Sequence, residues 1–188
     1  MQIKTIKNAN VKGYLKLEID TGAGVAWLLL SDAQYDALGR PTPCEEISDE
    51  DFRAASDGDE YNRAKKRALN ILSFGDNSER GLIAKLTRAG ISRHTRELVL
   101  EEMKALSYID EERQLTRLIE SLANEKLYGA KKIYSSLAAK GYPGEKIKSI
   151  MRRLEIEKII DFAKAKAKLT EGISDSDEKR KLLYKNGF

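Results

Sequence analysis

"LYKNGF" (Leu183–Phe188), "LTRAGI" (Leu86–Ile91) and "LAAKGY" (Leu137–Tyr142) share one pattern, Leu-x-x-x-Gly-apolar. If Gly lies just past a helix, the Leu sits one turn back and the apolar residue one position beyond. That is the arrangement of a Schellman cap, in which Gly takes the left-handed conformation cheaply and orphan carbonyls are satisfied. Three such caps in one short chain predict a repeat. Shifting the chain by 51 residues superposes Gly90 on Gly141 and Asp110 on Asp161. The same shift pairs Leu82 with Ile133, Ile83 with Tyr134, Leu86 with Leu137, Val99 with Ile150, Met103 with Leu154 and Ile109 with Ile160. Spacings of three, four and seven among these positions form the apolar stripe of an amphipathic helix.

The expected unit is three helices. The first follows Asp59, Asp110 or Asp161, each read as an N-cap; the second ends at the Gly cap; the third runs on to the next Asp. Ser92 is placed to cap the third helix of the first unit, and Pro143 to open its equivalent in the second. The third copy departs from the pattern. Asp161 to Gly187 is shorter than Asp110 to Gly141, so its first helix should lose a turn. Lys179 and Arg180 replace the apolar pair, and the third helix is missing.

The first forty residues have a different texture. Leu15, Leu17 and Ile19 alternate with polar residues, "TGAG" (Thr21–Gly24) signals a turn, and "VAWLLL" (Val25–Leu30) is β-rich, which together predict a hairpin. The turn reading outweighs a phosphate loop, because no Lys-Ser/Thr follows the glycines. Ser31 should cap a short helix that Gly39 ends, with Pro41 and Pro43 stiffening the linker beyond. The expected fold is mainly α: tandem three-helix repeats, the third incomplete, behind a small N-terminal β-hairpin plus short helix. The expected divisions are 1–47, 48–110, 111–160 and 161–188.

Charged residues make up 34% of the 188, and the net charge is +4. The balance is uneven: residues 1–60 hold 6 Lys/Arg and 12 Asp/Glu, giving −6, and the remaining 28 and 18 give +10. An acidic front on a basic body points to an anionic partner, nucleic acid first. No run is long and apolar enough to span a bilayer and no secretory leader is visible, so a cytoplasmic protein with no membrane partner is expected. A single Cys, Cys44, and a single His, His94, argue against a disulfide framework, a Cys-based zinc site and a Cys–His catalytic pair. No catalytic residue, metal or cofactor is expected.

The basic clusters are the candidate site: Arg63, Lys65, Lys66 and Arg67; Arg88, Arg93 and Arg96; Lys131 and Lys132; Lys140, Lys146 and Lys148; Arg152 and Arg153; and Lys164, Lys166 and Lys168. Such residues neutralise phosphates and release counterions, which gives sequence-independent, salt-sensitive binding. The competing reading is that half of them pair with Glu on neighbouring turns. Tyr128, Tyr134, Tyr142 and Tyr184 could stack on bases, although Tyr134 and Tyr142 fall at core and cap positions.

The run "AKKRALNILSFGDNSERGLIAKLTRAGIS" (Ala64–Ser92) resembles the opening repeat of the RecX family of bacterial recombinase regulators. "YIDEERQLTRLIESLANEKLYGAKKIYSSLAAKGYPGEKI" (Tyr108–Ile147) resembles the second, including the Ile109–Asp110 entry and the basic step after Gly129. The resemblance covers residues 61 to about 188. It implies a non-enzymatic regulator that lies on the RecA–DNA filament and damps strand exchange, ATP hydrolysis and co-protease action; a monomer is expected. It also implies non-specific phosphate contacts with single- or double-stranded DNA. The rival readings are a helix-turn-helix transcriptional regulator that binds duplex DNA directly, and a protein scaffold with no nucleic-acid dependence.

Overall fold

The computed structural model describes residues 1–188. It contains three strands followed by nine helices, gathered into two compact units, Met1–Phe74 with Lys85–Glu102 and Gly75–Ala84 with Met103–Phe188.

In the first unit the expected hairpin, β2 (Tyr14–Asp20) and β3 (Val25–Ser31), is joined by a further strand, β1 (Gln2–Asn8). The sheet is antiparallel in the order β1-β2-β3. Thr21 and Gly24 close the β2–β3 turn by a backbone hydrogen bond of 2.9 Å. Register places Leu17 opposite Leu28 and Leu15 opposite Leu30, so one face presents a continuous apolar surface. Ile3, Leu17, Ile19, Leu28 and Leu30 are buried there with Ile47 and Ala55.

Both edges of this small sheet are covered, which removes the exposed ladder groups that invite aggregation. The segment read as a linker does more than connect: Cys44 N–H donates to Ile3 O at 2.8 Å and Ile3 N–H to Glu45 O at 3.0 Å, sealing the β1 edge. On the β3 edge, Leu29 N–H donates to Asp59 Oδ1 at 2.9 Å and Leu29 O accepts from Asn62 Nδ2 at 2.8 Å. Asp59 therefore is not the helix start that the 51-residue shift suggested. It lies buried in the middle of α2 (Asp49–Ser73), which begins at Ser48, whose hydroxyl accepts from Asp51 N–H. α1 (Asp32–Ala37) opens on Ser31 with a reciprocal capping box to Gln34.

The remaining helices are α3 (Glu79–Arg88), α4 (Arg93–Ala105), α5 (Glu111–Asn124), α6 (Ala130–Ala139), α7 (Gly144–Ile156), α8 (Phe162–Leu169) and α9 (Ser176–Lys185). Asp110 and Asp161 cap α5 and α8 through Arg113 N–H and Lys164 N–H, and Ser92 Oγ accepts from Thr95 N–H at 3.3 Å ahead of α4. Pro143 stands at the N-cap of α7. Five of the six paired apolar positions are buried, Leu82, Leu86, Val99, Met103 and Ile109 with their equivalents Ile133, Leu137, Ile150, Leu154 and Ile160, whereas Ile83 and Tyr134 are only half-buried. α8 has 8 residues against 14 in α5, a larger shortening than one turn.

All three Gly caps are full Schellman motifs. Gly90, Gly141 and Gly187 have φ of 77°, 90° and 82°. Ile91, Tyr142 and Phe188 donate back to Leu86, Leu137 and Leu183 at 3.1–3.2 Å, and each Gly N–H closes the inner bond. Two further caps went unread in the sequence: Ser107 and Lys158, also 51 apart, each sit at φ 58° and close α4 and α7 the same way.

Within the second unit the Gly caps also dock helices end to end. Gly129 N–H donates to Asn186 O at 2.7 Å, so the carbonyl end of α9 caps the amide end of α6. Likewise Ser78 Oγ donates to Lys140 O at 2.8 Å, joining the end of α6 to the start of α3. A carbonyl-rich helix end against an amide-rich one satisfies the orphan groups of both.

Candidate nucleic-acid interface

Each predicted cation is placed by its helix, and the structure sorts them by what they touch. In the first unit, Arg63 pairs with Asp59 at 2.8 Å, Lys65 with Glu102 at 2.7 Å and Arg93 with Glu97 at 2.8 Å. Lys66, Arg67 and Arg88 are exposed without an acidic partner, and Arg96 is half-buried.

In the second unit, Lys132 lies 3.8 Å above the Tyr128 ring and donates to Asn186 Oδ1 at 3.2 Å, a structural contact beside the α9–α6 joint. Lys146 pairs at 2.8 Å with Glu111, a buried carboxylate that also accepts from Glu79 N–H. Its ammonium pKa is raised, chiefly by the hydrogen bond it donates to Glu111. Lys148 pairs with Glu145 at 3.0 Å and Arg153 with Glu112 at 2.6 Å, and both pKa values rise, first through those hydrogen bonds. Lys131, Lys140, Arg152, Lys164, Lys166 and Lys168 are exposed and unpaired. The pairing that competes with nucleic-acid binding thus claims part of the set and leaves the rest free.

Three grooves collect the cations of this unit. One of about 480 Å³ runs beside α7, past Lys148, Arg152, Arg153 and the exposed Ile156. Arg153 also borders a second, of about 510 Å³, along the outer face of α5, where Arg113, Thr116 and Arg117 stand. The third, about 360 Å³, lies between the end of α5 and α8 and takes Lys158, Lys164 and Lys168. Arg113 and Arg117 were missed in the sequence because the acidic first turn of α5 masked them. The 51-residue shift was the signal that could have found them, since it lays Arg113 on Lys164 and Arg117 on Lys168. Arg117 also reaches Asp76.

Of the four tyrosines, only Tyr184 is presented, at 85% exposure. Tyr142 is buried, its hydroxyl donating to Gln114 Oε1 at 3.0 Å. Tyr128 lies under Lys132, and Tyr134 packs against Gly144. No group of three or more His, Cys, Asp or Glu is placed to hold a metal ion, and no helix is long and apolar enough to cross a membrane. Carboxylates share the groove walls, Glu145 and Glu157 in the first groove, Asp110, Glu112 and Glu120 in the second and Asp161 in the third, so what the arrangement offers a phosphate is its unpaired cations.

No family model matches the chain. It is 26% identical over 140 residues to the regulatory protein RecX of Clostridioides difficile (strain 630), covering 74% of this chain and 66% of that relative's own length. A crystal structure of a regulatory protein RecX superposes with a TM-score of 0.72 at 18% identity, covering 100% of this chain and 94% of that one. The crystal structure of RecX from Lactobacillus salivarius gives 0.59 at 19% identity, over 69% and 89% of the two chains.

Proposed function

Because the chain belongs to the RecX family of regulatory proteins, we propose that it binds the RecA recombinase filament on DNA and damps its strand exchange, ATP hydrolysis and co-protease action. The role is regulatory rather than catalytic, in recombination, DNA repair and the SOS response, in the cytoplasm. Its working elements are three-helix repeats, residues 48–110 and 111–160 with a shorter one over 161–188, behind the sheet-bearing segment 1–47.

The observation that supports this reading is the set of exposed, unpaired cations on grooves of α5, α7 and α8: Arg152, Lys164 and Lys168, with Arg113 beside them. Several weak phosphate and protein contacts along a repeating lattice add through effective concentration, so no single contact need be strong. The test follows ATP hydrolysis by RecA on single-stranded DNA as the protein is added. Inhibition near stoichiometric protein is expected; an unchanged rate sinks the reading. A gel-shift series separates it from a transcriptional regulator, which would bind one duplex sequence tightly without RecA.

A further inference from the structure

Tyr184 stands on α9 at 85% exposure, outside the three cationic grooves. Other rings in the molecule already have a cation on them. Lys16 lies 4.4 Å from the Trp27 ring centre, Lys132 3.8 Å from that of Tyr128 and Lys148 5.8 Å from that of Tyr134. Around Tyr184 the cations are at hand, with Arg180 and Lys181 one turn back on the same face and Lys185 beside it, yet its ring is left bare. No other large apolar side chain of α8 or α9 is exposed, since Phe162, Leu169, Leu182 and Leu183 are half-buried. A protein-binding anchor works inside a rim that excludes water, and Tyr184 has no such rim.

The charge around this ring has one sign. The carboxylates of α9 are confined to its start, where Asp175 caps the helix and Asp177 pairs with Arg180 at 3.2 Å. Glu178 is exposed beside them, and no acidic side chain follows it. α8, which packs on α9, holds Lys164, Lys166 and Lys168 and no carboxylate; the turn between the two adds Glu171. α6 holds Lys131 and Lys132 and no carboxylate. Its start is pinned to the end of α9, where Gly129 N–H donates to Asn186 O at 2.7 Å and Lys131 N–H to Gly187 O at 3.3 Å. Arg180 and Lys132 are committed to Asp177 and Asn186, which leaves the ammonium groups of Lys131, Lys181 and Lys185 exposed and unpaired.

A bare ring among free cations matches an unstacked base between phosphates. A duplex keeps its bases stacked on one another, and an acidic peptide would satisfy the cations but bring the ring no flat partner. We propose that Tyr184 is a base-stacking platform for single-stranded DNA, with Lys131, Lys181 and Lys185 meeting the phosphates beside the stacked base. The ring selects a single strand; the choice of DNA over RNA rests on the filament reading given above.

The experiment titrates labelled oligothymidylate with the whole chain, without RecA, and follows fluorescence anisotropy at several salt concentrations. Tyr184→Ala should weaken binding about tenfold with the salt slope unchanged, because a base stack releases no counterion. Tyr184→Trp should restore the affinity. Lys181→Gln with Lys185→Gln should lower the slope by about 1.4. All three positions are exposed, so circular dichroism of the variants should match the parent. Tyr184→Ala should leave binding of duplex DNA and of polyglutamate as it was. Unchanged oligothymidylate binding in Tyr184→Ala, a loss that Tyr184→Trp does not repair, or an equal loss on duplex or polyglutamate overturns the proposal. So does tighter binding of oligouridylate than of oligothymidylate. With no recombinase in the cell, this result stands or falls separately from inhibition of RecA.

Discussion

A glycine at a helix end does one of two jobs here, and substitution distinguishes them. At Gly90 an added Cβ would meet nothing within 4 Å, so only the left-handed conformation is at stake. At Gly141 the Cβ would lie 2.9 Å from Ser78 Oγ, whose bond to Lys140 O joins α6 to α3. Gly90→Ala should therefore cost about 1 kcal/mol, the strain of an alanine at positive φ. Gly141→Ala should cost about 2–4 kcal/mol, because packing strain adds to it. Urea denaturation of the two variants checks this; equal losses would mean that Gly141 serves conformation alone. Glu60 offers a second test at this scale. Burial pushes its carboxyl up, but hydrogen bonds from Thr95 and Ser92 outweigh it and hold the pKa below its ordinary 4.5. A lowered folded pKa contributes stability that is full above 4.5 and lost as pH falls through the folded value. Glu60→Gln should flatten the acid limb of the stability–pH curve, as thermal melts across the range from neutral to acid would record.

Among the elements, the helix ends hold more information than the helix middles. Ser107 and Lys158 occupy the left-handed conformation without being glycine, at φ 58°. Ser107→Gly should raise stability by about 0.5–1 kcal/mol, since relief of strain exceeds the added unfolded-chain entropy; a lower melting temperature would contradict the cap. The α9–α6 joint predicts a further effect. A Cβ on Gly187 would collide with the Lys132 backbone, so the backbones touch with no room for a side chain. Deleting Asn186, Gly187 and Phe188 should speed hydrogen exchange at Gly129, whose N–H donates to Asn186 O, while leaving Leu115 and Ile119 of α5 protected. Unchanged exchange at Gly129 would show that the joint is not a cap in solution. The caps follow from local sequence, in the Leu-x-x-x-Gly-apolar pattern, whereas what each cap rests against is tertiary.

For the whole molecule the testable quantity is salt dependence. On single-stranded DNA each Lys or Arg that meets a phosphate adds about 0.7 to the slope of log affinity against log salt. Arg152→Glu with Lys168→Glu should lower that slope by about 1.4. Lys146→Gln should leave it unchanged, because Lys146 is already spent on Glu111. Fluorescence titration at several salt concentrations makes the measurement, and equal slopes would remove the α7 and α8 grooves from the interface.

The helical stripes, the Asp and Gly caps, the β2–β3 turn and the division into an acidic front and a basic body were all determined by the sequence. Each depends on residues within a turn or two of one another, or on composition alone. The tertiary structure decided the rest. Asp59 looked like a cap by its spacing, yet it sits inside α2 because the Leu29 amide, 30 residues away, gives its carboxylate a partner. β1 has its place through its ladder with β2 and through Ile3 meeting the chain at Cys44 and Glu45. Seventeen cations looked alike in the sequence, and the fold spent several on Asp59, Glu102, Glu111 and Glu112 while leaving others free. Whether a charge is available depends on which side chains distant in sequence come within about 4 Å, and local pattern holds no record of that distance.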